Sequence, residues 1–211
     1  MILVYEEPVD ANPAQAYRFQ IEYRLESLGG NAARMVIQYT ATNLSSNTQT
    51  LHLYHYADFN GSSPSTDTIT VLNSGRIRQV FGGGGCAELS ATPSANRWEV
   101  GVFPTLRDKL TNTAADNLSN ATAATGDVSA AFQWTRTLTP SGNFSGTVAQ
   151  SLNTSRLTGD VNGDCVVDDA DLLEVLFNFG STGNTPADVN CDGVVDDADL
   201  LTVLFNFGSN C

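Results

Sequence analysis

The stretch DVNGDCVVDDADLLEVLFNFGS at residues 160–181 returns almost unchanged as DVNCDGVVDDADLLTVLFNFGS at residues 188–209. Nineteen of the 22 positions are identical, and the repeat period is 28 residues. Each copy joins an acidic loop to an apolar segment, and repetition at a fixed period indicates one supersecondary unit that occurs twice. Because a single unit of this size cannot bury its own apolar face, we expect the two copies to pack against each other.

The acidic part of each copy matches the ligand spacing of a twelve-residue calcium loop. Calcium binds six to eight oxygen atoms, which such a loop supplies from positions 1, 3, 5, 7, 9 and 12. In the first copy these positions are Asp160, Asn162, Asp164, the Val166 carbonyl, Asp168 and Asp171. In the second copy they are Asp188, Asn190, Asp192, the Val194 carbonyl, Asp196 and Asp199. The recurrence of five oxygen-bearing side chains in register predicts two Ca²⁺ sites, whereas Mg²⁺ prefers fewer protein ligands and more waters.

The charge distribution supports a bound cation. The chain has a net charge of −13, and residues 160–211 contribute 11 acidic and no basic side chains. A segment of this charge repels itself unless positive charge enters it. The lack of a basic stripe excludes nucleic acid as a partner. No apolar run is long enough to predict a membrane-spanning helix.

The apolar part of each copy has helical periodicity. We predict helices over Asp169–Phe179 and Asp197–Phe207, with Gly180 and Gly208 at their C-terminal caps. The predicted apolar stripes, which should pack face to face, are Leu172, Leu173, Leu176 and Phe179 in one helix and Leu200, Leu201, Leu204 and Phe207 in the other.

A duplicated loop and helix with Asp at position 12, and no helix before the first loop, resembles the type I dockerin module of bacterial cellulosomes. The resemblance covers residues 160–208 and implies a three-helix, EF-hand-like module that folds around two Ca²⁺. It also implies a partner, because dockerins bind the β-sandwich domains called cohesins. Loop positions 10 and 11, often Ser-Thr in cellulosomal dockerins, are here Asp-Ala in both copies. Position 6, usually glycine, is Gly193 in one loop and Cys165 in the other, which predicts a left-handed cysteine.

The rest of the chain is predicted to be β-structure. In YRFQIEYRL, residues 17–25, large apolar or aromatic side chains alternate with polar ones, which is typical of a strand with one buried face. Further segments of this kind give eight or nine strands, separated by clusters of Gly, Asn, Ser and Pro. A short helix is expected around Leu106 and Leu110. We therefore predict a mainly β chain, with a jelly-roll-like antiparallel β-sandwich over residues 1–155 and a small α-helical calcium domain over residues 156–211.

The cysteine count predicts disulfide bonds. None of the four forms a C-x-x-C pair, and an even number in a secreted chain suggests two disulfides with three possible connectivities. Buried free thiols are the alternative. One connectivity joins Cys165 to Cys211 within the repeat and leaves Cys86 and Cys191 to bridge the β-sandwich and the repeat, within or between chains.

Catalytic motifs are not evident in the sequence. His52 and His55 lie three apart on a predicted strand, so they should point to opposite faces and not share a metal. Acids such as Asp58 and Glu99 have the residue types of a glycosidase pair, but no motif selects them. The chain is therefore expected not to be an enzyme.

These observations favour a non-catalytic, calcium-binding assembly protein. Its dockerin-like module would dock on a cohesin-like β-sandwich or on another copy of the chain, giving a homo-oligomer or filament. One alternative is a cellulosome-like subunit whose sandwich binds or hydrolyses polysaccharide and is tethered to a separate cohesin. Another is a surface adhesin with the module as a calcium-stabilised stalk. A composition rich in Ser, Thr, Asn, Ala and Gly, with Lys109 the only lysine, favours an extracellular or cell-surface location.

Overall fold

The structure is a computed structural model of the 211-residue chain and describes residues 1–6, 17–29, 32–61, 64–82, 84–112, 116–153 and 157–210. The strands among these residues are β1 Ile2–Glu6, β2 Tyr17–Gly29, β3 Ala32–Asn43, β4 Gln49–Ala57, β5 Thr68–Asn73, β6 Arg76–Val80, β7 Cys86–Thr92, β8 Arg97–Val102, β9 Ala123–Thr125, β10 Val128–Leu138 and β11 Asn143–Asn153. The helices are α1 Thr105–Thr111, α2 Asp169–Phe177 and α3 Asp197–Phe205, and a 3-10 turn lies at Pro64–Thr66.

The described strands form two antiparallel sheets, which confirms a mainly β chain. One sheet has eight strands in the order β1-β2-β3-β11-β7-β6-β5-β9, and the other has three in the order β4-β10-β8. Eleven strands divided in this way exceed the eight of a jelly roll. None of the helices in the described ranges is long and apolar enough to span a membrane. The predicted domain boundary falls at residues 154–156, outside the described residues, and stays a prediction.

The two sheets pack face to face around an apolar core. Phe132 and Trp134 of β10 are almost fully buried and belong to one cluster with Ile69, Ile77 and Leu89 of the large sheet. The indole Nε1 of Trp134 donates a 2.9 Å hydrogen bond to a backbone carbonyl, so the polar atom of this ring is satisfied. Seven consecutive residues of β10 are buried, so burial in this central strand does not follow a period of two.

The alternation in β2 marks a buried face over only part of the strand. Tyr17 and Phe19 pack against the core, as the pattern predicts, but Leu25 is 78% exposed. The small sheet has three strands against eight, so it covers only part of the larger sheet. Alternation predicts which side chains share a face, but the size of the opposing layer decides which of them are buried.

Three strands lack a clear sequence signal. β1 and β9 are short and lie at the two edges of the large sheet, whereas β7 has neighbours on both sides. In β7 the segment CAELSAT contains a glutamate, Glu88, which is only 5% exposed. An isolated glutamate argues against a buried strand, and only partners from elsewhere in the chain make its burial tolerable.

A buried histidine links the two sheets. His55 of β4 is 4% exposed and lies 2.6 Å, Nδ1 to hydroxyl, from Tyr39 of β3. Its Nε2 accepts a 2.9 Å hydrogen bond from the Gln150 side chain of β11. His52 on the same strand is exposed, so the two histidines point to opposite faces, as their spacing predicts. Burial lowers the pKa of His55 to about 4.

This histidine should make stability fall in mild acid. An unfolded histidine titrates near pH 6.5, whereas His55 stays neutral in the fold down to about pH 4, so the unfolded chain binds the proton first. Its contribution is complete above about pH 6.5 and should be reduced by about 2 kcal/mol at pH 5. We expect His55→Gln to flatten the pH dependence of denaturant unfolding between pH 7 and 5. The control His52→Gln should leave the wild-type slope, and equal slopes in all three proteins would contradict this assignment.

The helices α2 and α3 begin as predicted and end two residues earlier than predicted. Asp168 and Asp196 are their N-caps, and each forms a reciprocal capping box with the aspartate three residues later. The C-caps are Asn178 and Asn206, and the predicted capping glycines follow two residues later with positive φ.

The predicted apolar stripes of these helices are wrong in most positions. The fully buried apolar residues are Val175 and Val203, which pack in one cluster with the partly buried Leu172 and Leu200. The remaining predicted stripe residues are about half exposed: Leu173, Leu176, Phe179, Leu201, Leu204 and Phe207. The apolar residues of each helix cover more than one face, so periodicity alone could not select the buried face.

Candidate functional site

The first loop, residues 160–171, closes around two buried carboxylates. Asp160 at position 1 is 4% exposed, and Asp171 at position 12 is fully buried. The Asp160 Oδ1 accepts hydrogen bonds of 2.8 and 3.2 Å from the amides of positions 4 and 5. The Asp171 Oδ1 accepts hydrogen bonds from the amides of Val161 and Asn162, at 2.7 and 3.1 Å. These contacts place the position-12 carboxylate against the start of the loop, beside position 1.

The second loop, residues 188–199, repeats this arrangement. Asp188 and Asp199 are both fully buried. The Gly193 amide donates a 3.0 Å hydrogen bond to Asp188 Oδ2, and the Asn190 amide donates one of the same length to Asp199 Oδ1. In each loop the position-9 amide donates to the other oxygen of the position-12 carboxylate, at 2.9 Å. The backbone of both loops is therefore folded by the loops' own acidic side chains.

The other predicted ligands contact backbone amides near them. Asn162 Oδ1 accepts a 2.9 Å hydrogen bond from the Asp164 amide, and Asp164 Oδ1 accepts one from the Val166 amide. The second loop repeats these contacts at Asn190, Asp192 and Val194.

Position 9 is occupied by the helix caps Asp168 and Asp196, each of which accepts a hydrogen bond from an amide two residues later. Within the described residues, no group of three or more His, Cys, Asp or Glu side chains is arranged to hold a metal ion. The structure thus brings the carboxylates of positions 1 and 12 together in each loop, whereas those of positions 5 and 9 accept hydrogen bonds from backbone amides. The binding of Ca²⁺ stays a prediction.

Both loops use left-handed backbone at positions 4 and 6. Cys165 at position 6 of the first loop has a φ of 71°, as the sequence predicts, and Gly193 at the same position of the second has a φ of 96°. At position 4 the residue types are exchanged, with Gly163 at 81° and Cys191 at 59°. Each loop therefore has one non-glycine residue in a conformation that costs roughly 1 kcal/mol.

Asp188 carries the strongest electrostatic signal in the loops. Its Oδ1 is buried and has no hydrogen-bond partner among the described residues. Burial raises the pKa of this carboxyl to about 7, with Asp199 and Asp192 adding to the rise and Arg78 opposing it. A buried carboxylate oxygen without a partner, beside further carboxylates, fits a site for a hard cation.

The second loop is fixed to the outer face of the large sheet. A disulfide joins Cys86 at the start of β7 to Cys191 at position 4 of the loop. Beside it, the Arg78 guanidinium of β6 donates a 3.1 Å hydrogen bond to the Cys191 carbonyl and a 2.7 Å hydrogen bond to Glu88. Arg76 also donates to both oxygens of Glu88, at 3.1 and 2.8 Å.

Arg78 and Glu88 are site residues that the sequence does not reveal. Alternation in β6 places Arg76 and Arg78 on the face opposite Ile77, but nothing local shows that this face is covered. Arg78 is only 4% exposed because the second loop lies over it. Burial alone would raise the pKa of Glu88, but the hydrogen bonds from Arg76 and Arg78 hold it below its usual value.

The other predicted disulfide involves a residue outside the described part of the chain. Cys211 is not described, so its pairing with Cys165 stays a prediction. Cys165 itself is exposed, at position 6 of the first loop.

Each helix of the repeat presents an apolar surface to solvent. We call the surface of α2 and the residues after it the first apolar surface, and that of α3 the second. Their exposed fractions agree closely, with Phe177 at 81% and Phe205 at 84%, and Leu176 at 51% and Leu204 at 47%. The first apolar surface consists of Leu173, Leu176, Phe177 and Phe179, and the second of Leu201, Leu204, Phe205 and Phe207. Large contiguous apolar patches on a protein surface mark interaction sites, so these exposed side chains are candidates for a docking surface.

The two acids considered as a glycosidase pair have separate partners. Glu99 of β8 accepts a 2.7 Å hydrogen bond from the Lys109 ammonium and another from the Ser119 amide. Asp58 accepts a 3.4 Å hydrogen bond from the Tyr56 hydroxyl, and burial raises its pKa, with Asp127 adding to the rise.

Three solved structures align with the chain at low sequence identity. It aligns with a protein assigned as an aldose 1-epimerase from Escherichia coli K12 at 12% identity and a TM-score of 0.47, over 72% of this chain and 64% of that one. It aligns with a galactose mutarotase related enzyme from Lactobacillus acidophilus at 8% identity and a TM-score of 0.39, over 72% and 67%. A bacterial glucoamylase in complex with acarbose matches at 11% identity and a TM-score of 0.41, over 95% of this chain but 28% of that one. The chain thus spans less than two thirds of the first of these. The protein-family scan and the search of curated proteins found no match.

These comparisons contradict two predictions from the sequence. The expectations that the chain is a non-catalytic assembly protein and that it is not an enzyme do not stand against these matches, which are to enzymes. Both expectations rested on the absence of a catalytic motif, but side chains from separate strands can form a site without any local motif. At these identities no activity, substrate or residue role is transferred to this chain.

Proposed function

We propose that the C-terminal repeat is a dockerin-like, EF-hand-like module that binds two Ca²⁺ and docks the chain onto a separate, cohesin-like β-sandwich. The observation that carries this proposal is the paired burial of positions 1 and 12 in both loops, where Asp188 Oδ1 has no hydrogen-bond partner among the described residues. In this proposal the β-sheet portion is what the module tethers. In this proposal the β-sheet portion binds or hydrolyses polysaccharide and does not serve as a non-catalytic assembly domain.

The donor set fits calcium in type and number. Each loop offers four carboxylates, one amide oxygen and one backbone carbonyl, and a hard cation that takes six to eight oxygens suits this set. When bound, Ca²⁺ would supply positive charge to a segment with 11 acidic and no basic residues. The residues that would hold it are Asp160, Asn162, Asp164, Val166, Asp168 and Asp171 in one loop and Asp188, Asn190, Asp192, Val194, Asp196 and Asp199 in the other.

The two apolar surfaces support a folded protein as the partner. They are exposed to the same extent, so either helix can present an equivalent surface. Acidic residues at positions 10 of the loops, Asp169 and Asp197, stand at the start of both helices. An anionic membrane would repel such a surface. A cohesin-like domain with an apolar patch and basic residues would complement it, and an extracellular location would supply calcium and preserve the disulfide.

Docking should depend on both calcium and the apolar surfaces. We expect Leu176→Arg with Leu204→Arg to weaken binding to a panel of recombinant type I cohesin domains by at least a hundredfold, because both equivalent surfaces are then charged. Isothermal titration calorimetry in 2 mM Ca²⁺, a concentration of the order of the weaker extracellular sites, measures this affinity.

The matched control is Leu25→Arg, which charges a leucine that is 78% exposed on β2 and should leave binding unchanged. Binding that persists in EDTA or in the double variant would contradict the proposal. So would the absence of binding to every member of the panel.

A further inference from the structure

The two copies of the repeat differ where one of them meets the β-sheet. Only three of the 22 aligned positions differ, and two of these are positions 4 and 6 of the loops. In the second loop, position 4 is Cys191, which forms the disulfide with Cys86. Position 6 is Gly193, where a Cβ atom would collide with the Arg78 guanidinium. The departures from internal symmetry therefore accommodate one contact, between the second loop and Arg78.

Arg78 lies close to the predicted calcium ligands of this loop. Its Nη2 is 3.9 Å from Asp188 Oδ2, and its Nη1 donates to the Cys191 carbonyl at 3.1 Å. Both Arg78 and Asp188 are buried, so solvent screens their interaction only weakly. Glu88 holds the guanidinium from the other side at 2.7 Å.

Two buried atoms at this contact have no hydrogen-bond partner within the described residues, Arg78 Nε and Asp188 Oδ1. At position 1 of the first loop, Asp160 Oδ1 instead accepts two amide hydrogen bonds. In the second loop the Cys191 amide donates to the Asp188 backbone carbonyl at 3.4 Å and not to its carboxylate. Because the Cys191 amide does not donate to it, Asp188 Oδ1 is available to a bound cation. The positively charged guanidinium of Arg78 lies near the other oxygen, Asp188 Oδ2.

We propose that Arg78 tunes the second calcium loop, lowering its affinity by placing a fixed positive charge beside Asp188. Glu88 moderates this effect by sharing the guanidinium charge. A calcium ion in the second loop is therefore repelled by the Arg78 guanidinium, which belongs to the β-sheet. The disulfide prevents the loop from moving away from Arg78. This inference rests on calcium binding by the loops.

The test is calcium titration of the full-length, oxidised chain, followed by the amide NMR signals of Gly163 in the first loop and Gly193 in the second. We expect Arg78→Met to tighten binding reported by Gly193 roughly tenfold or more, because a buried charge near the ion is removed. The signal of Gly163 should report an affinity within twofold of wild type. The control Arg24→Met removes an exposed arginine of β2 that pairs with Glu26, and it should change neither affinity.

A second variant has the opposite expected sign. Glu88→Gln removes the counter-charge of Arg78, so binding reported by Gly193 should weaken several-fold. If circular dichroism shows that Arg78→Met does not fold, Glu88→Gln tests the effect of Arg78 on calcium affinity in its place. Unchanged or weaker binding at Gly193 in a folded Arg78→Met chain would overturn the inference alone. Absence of calcium binding at both loops of the wild-type chain would overturn the proposed function and the inference with it.

Discussion

Replacing Cys86 and Cys191 with alanine is expected to lower the free energy of unfolding by about 3–5 kcal/mol. The disulfide joins residues 105 positions apart, and a cross-link over so long a segment restricts the unfolded chain strongly. Alanine is the suitable replacement because both cysteines are buried, so a serine hydroxyl would add a desolvation cost. Guanidinium unfolding in calcium, followed by tryptophan fluorescence, measures the change.

The wild-type chain in reductant provides the control for this comparison. Its unfolding midpoint should approach that of the double alanine variant in the same reductant, because both then lack the cross-link between Cys86 and Cys191. The positive φ of Cys191 costs alanine about as much as cysteine, so backbone strain does not separate the two proteins. Equal midpoints for the oxidised wild type and the variant would show that the bond does not constrain the chain.

Removing calcium is expected to unfold the C-terminal repeat and leave the β-sheets folded. Four buried carboxylates lie in a segment with 11 acidic and no basic residues, and their mutual repulsion opposes folding without a cation. At a hundred times the dissociation constant, each bound ion contributes about 2.7 kcal/mol, so two contribute about 5 kcal/mol. Hydrogen exchange in EDTA should therefore show lost protection at residues 160–209 and retained protection in β10 and β11.

Added metal distinguishes calcium loss from a general effect of the chelator. Excess Ca²⁺ should restore protection of both loops, and equimolar Mg²⁺ should restore less, since Mg²⁺ keeps more of its waters. Full protection of residues 160–209 in EDTA, with metal analysis showing no bound calcium, would refute a calcium-dependent fold.

Local structure in the repeat could be predicted because its causes lie within a few residues. The start of each helix follows from an aspartate whose side chain caps the amides just after it, and the left-handed Cys165 follows from its place in the loop. In the same way, alternation over residues 17–25 predicts the face of β2 on which Tyr17 and Phe19 pack against the core. Hydrogen bonds and side-chain periodicities of this kind involve residues only a few positions apart, so they can be predicted from the sequence.

The features that distinguish the two loops were decided only by the tertiary structure. The pairing of Cys86 with Cys191, the burial of Arg78 and the exposure of Leu176 all depend on which surfaces meet after the chain has folded. The two copies differ at loop positions 4 and 6, but neither difference shows by itself that the second copy will contact β6. That choice arises from contacts between residues about 100 positions apart, so the sequence by itself determined the repeated unit and the β-rich class, and the packed sheet decided how the copies differ.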